Sequence, residues 1–73
     1  YMLSARLEID KVNDLFDLGL PESDDYMTVG GYILHEYQSF PKLNEVITIG
    51  RYEFRIIKST MTKIELVKLK VSR

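Results

Sequence analysis

Residues 24–41, from Asp24 to Pro41, have the sequence DDYMTVGGYILHEYQSFP. The adjacent glycines Gly30 and Gly31 lie one turn inside a segment whose remaining pattern predicts an amphipathic helix. In a helix interior, each glycine costs about 1 kcal/mol relative to alanine. The pair therefore indicates a backbone surface kept free of side chains, either for close packing or for a ligand.

The residues around the glycines predict where this helix begins and ends. Thr28 is the expected N-cap, and the helix is expected to run to about Gln38. Pro41 stops it, because the residue before a proline disfavours helical backbone. The preceding segment 20–25 is polar and acidic, and we expect a connecting loop there.

An earlier strand and helix are predicted from the first twenty residues. Apolar side chains alternate with polar ones from Leu3 to Ile9, which predicts a half-buried strand. Asp10 is the expected N-cap of a short helix over about residues 11–18. Gly19 is the expected residue just after that helix, and Pro21 prevents its continuation.

Three strands are predicted in the second half of the chain. Val46–Ile49 forms the first, and the two-residue turn at 50–51 leads to a return strand over 52–58. We expect one face of this return strand to hold Tyr52, Phe54 and Ile56. The last strand, 63–71, changes its apolar phase at residues 66–67. This predicts a β-bulge or a strand buried on both faces at that point.

The order of strand, helix, helix and three-strand meander predicts an α+β fold. We expect a two-layer sandwich with two helices on one face of a mainly antiparallel sheet. With 73 residues, the chain has room for one domain, residues 1–73. It begins and ends in mid-pattern, and we expect it to be excised from a longer polypeptide.

Composition restricts the chemistry of the chain. It has no cysteine, which excludes disulfides, thiol catalysis and thiolate metal sites. The net charge of −1 conceals an asymmetry between the two halves. Residues 1–38 hold two basic and eight acidic side chains, and residues 39–73 hold eight basic and three acidic ones. The halves either form oppositely charged faces or interleave and cancel.

Several motifs together resemble the CorC/HlyC transporter-associated domain. They are the segment ARLEIDKVNDL at residues 5–15, DDYMTVGGYIL at 24–34, Pro41, and VITIGRYEF at 46–54. The resemblance covers nearly the whole chain. At residues 38–41 this chain has Gln-Ser-Phe-Pro, where family members usually carry a Gly-Arg-Ile-Pro-like turn.

The resemblance implies a C-terminal module on the cytosolic face of a membrane protein. Its companions would be a transmembrane domain and a pair of CBS domains, in a magnesium/cobalt efflux or hemolysin-like protein. The module would modulate ion transport without catalysing a reaction. The family's fold is grouped with FAD-binding domains of the p-cresol methylhydroxylase (PCMH) type, which alone is weak support for flavin binding.

One candidate ligand site lies at the start of the second helix. Thr28, Gly30 and Gly31 could hold the phosphate of FAD or an adenine nucleotide, because a helix N-terminus attracts anions. However, the segment lacks phosphate-loop spacing, and no Lys or Arg lies within ten residues. We therefore favour close packing for the glycines and expect no cofactor.

A divalent-ion site is the second candidate. Glu22, Asp24 and Asp25 supply the hard oxygen ligands that such ions need. Their spacing matches no EF-hand, and the lone His35 has no partner for a zinc site or a catalytic triad. A solvated acidic loop is the simpler interpretation, and we expect neither a metal site nor an enzyme.

An interaction surface is the prediction we favour. Its candidate residues are Tyr26, Tyr32, Tyr37 and Phe40, together with an exposed edge of the last strand. Edge pairing would produce a homodimer. The acidic first half argues against nucleic acid as a partner, although tyrosines beside Arg51 and Arg55 could stack on bases.

Overall fold

The computed structural model describes residues 1–72 of the chain. Over these residues the chain forms, in order, β1 (Met2–Ser4), α1 (Ile9–Phe16), α2 (Val29–Tyr37), β2 (Val46–Ile49), β3 (Tyr52–Ser59) and β4 (Ile64–Val71). The four strands make one antiparallel sheet in the order β1-β4-β3-β2. Both helices pack on the same face of the sheet, so the predicted α+β two-layer architecture is confirmed.

A single hydrophobic core lies between the two layers. Tyr32 and Ile33 from α2 and Val12 from α1 are buried against the inward face of the sheet. On β3 that face holds the predicted alternation, Tyr52, Phe54 and Ile56, all of them buried. Because strand side chains alternate between faces, the residues between them point away from the helices.

The first predicted strand is shorter than its sequence pattern suggests. β1 ends at Ser4, where the Leu7 N–H donates to the Ser4 carbonyl oxygen at 3.2 Å and closes a turn. Ala5 and Ile9 are nevertheless buried, because residues 5–9 leave the sheet and run beside residues 27–30. A period-2 pattern can thus arise from burial against a helix start as well as from a strand.

The boundaries of α1 also differ from the prediction. The helix begins at Ile9, with Glu8 as N-cap, so Asp10 lies inside the first turn and does not cap it. It ends at Phe16, and Asp17 takes the left-handed conformation with φ of 53°. Gly19, expected just past the helix, has φ of +70° two residues farther on. Leu18 and Leu20 are both buried.

The β2–β3 hairpin matches its prediction. Gly50 and Arg51 form the two-residue loop between the paired residues Ile49 and Tyr52. Gly50 has φ of +59°, a left-handed conformation that side chains with a Cβ rarely adopt. The register between β2 and β3 is uninterrupted from this turn to Val46.

The predicted irregularity in β4 is confirmed as a pair of register shifts. Ile56 pairs with Val67, while Lys58 pairs with Leu66, so one extra residue lies on β3 between them. Ser59 then pairs with Ile64, which leaves one extra residue on β4. The two shifts compensate and keep both Val67 and Ile64 on the core side.

The prediction of an exposed edge on the last strand is wrong. β4 lies inside the sheet, between β1 and β3, because the first strand pairs with it. The sheet edges are β1, three residues long, and β2, four residues long. Any partner that pairs with an edge would therefore meet one of these short strands.

The two ends of the described chain lie at one corner of the molecule. The Leu69 N–H donates to the Tyr1 carbonyl oxygen at 2.7 Å. Tyr1 and Ser72 both line a surface depression of about 530 Å³. Among residues 1–72, no helix is long and apolar enough to cross a membrane.

Candidate interaction surfaces

The start of α2 has no free backbone donor for an anion. The N–H groups of residues 29 and 30 donate to the carbonyl oxygens of Leu7 and Ala5 at 3.0 and 2.8 Å. The Gly31 N–H donates to the Thr28 hydroxyl at 3.1 Å, which confirms Thr28 as the N-cap. The Tyr32 N–H donates to the Thr28 carbonyl oxygen. A phosphate at this helix end would have to displace these bonds.

The twin glycines differ in what surrounds them. A Cβ on Gly30 would lie 3.2 Å from the carbonyl oxygen of Ala5 and 3.3 Å from its Cβ. A Cβ on Gly31 would lie 3.2 Å from the Thr28 hydroxyl and 3.4 Å from the Cβ of Tyr26. Gly30 therefore lets the helix approach the chain that leaves β1, as the packing interpretation requires.

Beside the glycines is a shallow depression of about 330 Å³. Its lining includes Arg6, Lys63 and Thr62 together with Thr28 and both glycines. The fold thus brings two basic side chains to a segment that has none nearby in sequence. Linear spacing carried no signal for this, because the two residues come from the turn after β1 and the β3–β4 connection.

The acidic connector does not converge on a metal. Glu22, Asp24 and Asp25 are all exposed, and the Asp25 N–H donates to the Ser23 hydroxyl within a local turn. Throughout the described part of the chain, no three Asp, Glu or His side chains are grouped so that they could hold a metal ion.

The predicted aromatic surface divides into two parts, and the prediction that Tyr32 belongs to it is wrong. Tyr32 is only 1% exposed and packs edge-on against Phe54, with ring centroids 6.1 Å apart. It belongs to the core because it lies on the inward face of α2. The Tyr26 ring packs over Tyr32, with ring centroids 5.1 Å apart, and its centroid lies 5.4 Å from that of the His35 ring. The Tyr26 hydroxyl donates to the Pro21 carbonyl oxygen.

Tyr37 and Phe40 remain on the surface, each 40% exposed. The Tyr37 hydroxyl donates to the Glu45 carboxylate, which also accepts the Lys42 N–H. These bonds lower the pKa of Glu45, the Lys42 N–H contributing most, and the bond to Glu45 raises the pKa of Tyr37. This contact ties the end of α2 to the start of β2.

The surface that the sequence analysis missed is the face of the sheet turned away from the helices. We call it the outer sheet face; its paired residues are Met2, Ser4, Val46, Thr48, Glu53, Arg55, Lys58, Leu66, Lys68 and Lys70. Four of these side chains are basic and one is acidic. The acidic residues of positions 1–38 lie instead in α1, in α2, in the segment between them and, for Glu8, at the N-cap of α1. Four of the eight basic residues of positions 39–73 thus share the outer sheet face, while Arg51 and Lys63 contact the helical side of the domain.

The comparison with known protein families decides which family this is. The model of a family described as "Transporter associated domain", CorC_HlyC, matches residues 1–73. The chain belongs to the CorC/HlyC transporter-associated domain family. A solved CorC_HlyC domain from Nitrosomonas europaea has the same fold, with a TM-score of 0.80 and 25% sequence identity. The match covers 97% of this chain and 85% of that one.

Curated relatives of this CorC/HlyC domain are much longer proteins. Hemolysin C of Brachyspira hyodysenteriae is 34% identical over 73 residues, covering 96% of this chain and 27% of the relative. The polyamine export protein of Haemophilus influenzae is 21% identical over 68 residues, covering 92% of this chain and 16% of the relative. The chain thus spans about a quarter or less of the curated relatives it matches.

Proposed function

We propose that this CorC/HlyC domain is a non-catalytic regulatory module of a larger membrane transporter. It modulates ion transport by docking onto neighbouring parts of the same polypeptide. The observation that carries the proposal is that the domain corresponds to 27% and 16% of relatives named hemolysin and exporter. The domain is a small part of these proteins, and the backbone N–H groups at the start of α2 are already hydrogen-bonded within the chain. Both features support a role in contact rather than in chemistry.

The partners in this proposal are CBS domains and a transmembrane domain, with the module on the cytosolic face. A second copy is a further partner, which would pair through the edge strand β1 or β2. Magnesium, cobalt and a polyamine are the candidate cargoes. Light scattering at high protein concentration tests self-association, and a monomer throughout would remove the homodimer from the proposal.

The experiment for the main proposal compares transport with and without this domain. Efflux of Mg²⁺, Co²⁺ and a polyamine is measured in cells that make the complete protein or a form lacking residues 1–73. We expect the same cargo to be transported, with a changed rate or a changed response to its concentration. Equal surface expression of the two forms is the control. Identical transport curves would contradict a regulatory role.

A second candidate is a small-ligand sensor at the depression beside Gly30 and Gly31. The two basic side chains that line it, Arg6 and Lys63, favour an anionic ligand such as FAD or an adenine nucleotide. Binding would rest on these side chains alone, because the nearby N–H groups are paired. Titration with FAD, followed by its visible absorption, tests this candidate, and an unshifted flavin band would exclude flavin.

A further inference from the structure

One row of side chains crosses the whole outer sheet face. Met2 is the register partner of Lys68, Lys68 of Arg55, and Arg55 of Val46. The row therefore has two basic residues at its centre and an apolar residue at each end, on the edge strands. Met2 is 55% exposed and Val46 is 42% exposed. Neighbouring strands are about 4.8 Å apart, so the row is roughly 14 Å long.

The centre of this row is unfavourable for the domain alone. Like charges directly opposite each other on neighbouring antiparallel strands destabilise a sheet. Arg55 and Lys68 are such a pair, whereas the next pair, Glu53 with Lys70, has opposite charges. A carboxylate placed over Arg55 and Lys68 would remove the repulsion. Arginine holds a carboxylate through two parallel hydrogen bonds, which gives such a contact direction as well as strength.

The size of the outer sheet face fits contact with another domain. Its two longest strands, β3 and β4, each have eight residues, which corresponds to a length of about 27 Å. Four strands give a width of roughly 19 Å. Because β1 and β2 are only three and four residues long, the area is about 375 Å² on each partner, or roughly 750 Å² in total, which lies within the range of interfaces between domains of one chain.

We propose that the outer sheet face docks onto a carboxylate-bearing surface of a neighbouring domain in the same polypeptide. Arg55 and Lys68 bind its carboxylates, and Met2 and Val46 contact apolar side chains on either side of them. This inference rests on the proposed function and names the docking surface and the chemistry of its partner.

An anionic membrane is a weaker match to the same face. Each basic residue near an anionic bilayer contributes about 1 kcal/mol. The four basic residues and one acidic residue of this face would then give roughly 3 kcal/mol, an affinity weaker than millimolar. Met2 and Val46 lie on strands rather than on a protruding loop, and this placement does not favour insertion among the acyl chains.

Site-specific photo-crosslinking in the complete protein tests the proposal. A photoreactive residue at Thr48, on the outer sheet face, is compared with one at Asp14, exposed on α1. We expect Thr48 to crosslink to a segment rich in Asp and Glu elsewhere in the polypeptide. A crosslink from Asp14 alone, or from Thr48 to a basic or purely apolar segment, would overturn the proposal.

A charge-reversed variant supplies the second readout. Arg55→Glu with Lys68→Glu keeps a like-charge pair, so its effect on folding is small while the sign of the surface is reversed. We expect at least a tenfold loss of the Thr48 crosslink. The matched control is Lys11→Glu with Lys42→Glu, which makes the same charge change on exposed residues outside this face and should leave the crosslink intact. An unchanged crosslink in the first variant would contradict the proposal.

Vesicles separate the protein partner from a lipid one. The domain is sedimented with vesicles of phosphatidylcholine and phosphatidylglycerol in a three-to-one ratio. Sedimentation that Arg55→Glu with Lys68→Glu abolishes, without a Thr48 crosslink to protein, would replace the proposal with membrane binding. The transport comparison distinguishes a failure of this docking surface from a failure of the proposed regulatory role. Altered transport without residues 1–73, together with no Thr48 crosslink, leaves regulation standing and removes this surface.

Discussion

Gly30 and Gly31 are neighbours in sequence, but they have different structural roles. Gly30 faces the backbone of Ala5, which is itself held by a bond from its N–H to the Glu65 carbonyl oxygen at 2.9 Å. Gly31 faces the side chains of Thr28 and Tyr26, which can shift by a few tenths of an ångström. The presence of a glycine pair was a sound signal of close approach. Which of the two positions requires a glycine depends on a contact with a residue 25 positions away in sequence.

Alanine substitutions should separate these roles. Gly30→Ala should lower the free energy of unfolding by about 1–2 kcal/mol, because an overpacked contact with fixed backbone outweighs the helix propensity it gains. Gly31→Ala should change it by less than about 0.5 kcal/mol. Urea denaturation of the two variants and the original protein measures both values. Equal effects at the two positions would contradict the assignment of the close contact to Gly30.

Tyr32 should make stability depend on pH in the alkaline range. Burial, followed by the charge of Glu36, raises its pKa from 10.0 to about 12. Between these values the unfolded chain releases the proton while the folded chain keeps it. The free energy of unfolding is therefore intact below pH 10 and falls as pH rises toward 12.

The measurement compares urea midpoints at pH 9 and pH 11. Tyr32→Phe should show a smaller drop than the original protein, because it has no hydroxyl to ionise. Part of the drop should persist, since the pKa values of Tyr26 and Tyr37 are also raised. Equal drops in both proteins would show that Tyr32 ionisation does not govern alkaline stability.

At the scale of elements, the second half of the chain was predictable and the first strand was not. The β2–β3 hairpin depends on local signals, a two-residue turn with glycine first and alternating apolar residues after it. Residues 5–9 have the same alternation, but they form backbone hydrogen bonds with residues 27–30 and with β4. The alternation of apolar residues predicts that they are buried, but it does not predict which segment of the chain buries them.

The place of β1 in the sheet depends on pairing between residues far apart in sequence. Its partner is β4, more than sixty residues away, and this pairing moves β4 from the edge to the interior. The outer sheet face was missed for the same reason. Met2, Lys68, Arg55 and Val46 come from four strands, and only the register places them in one row.

The outer sheet face makes opposite predictions for two neighbouring lysines. Lys68→Glu places a carboxylate opposite Arg55, and it should stabilise the domain by about 0.5 kcal/mol. Lys70→Glu places one opposite Glu53 and should destabilise it by a similar amount. Thermal unfolding at low ionic strength measures both, and 0.5 M salt should reduce the difference because exposed charges are screened. A stabilised Lys70→Glu variant would contradict the register-based account.

At the scale of the whole molecule, the chain folds back so that its first and last described residues are near each other. Circular permutation should therefore be tolerated. A short glycine-serine linker joins residue 73 to residue 1, and new ends are opened at Met61, which is 96% exposed between β3 and β4. We expect a cooperative unfolding transition and a native circular dichroism spectrum. A control opened at Phe54, in the core, should fail to fold.

The pairing of Tyr1 with Leu69 also determines how the domain would respond to mechanical force. A pull between residues 1 and 71 loads β1 and β4 at the same end, across hydrogen bonds that run perpendicular to the strands. These bonds would then break one after another, as in a zipper, rather than share the load in shear. Tension along the polypeptide would peel away the three residues of β1 before it deformed the core.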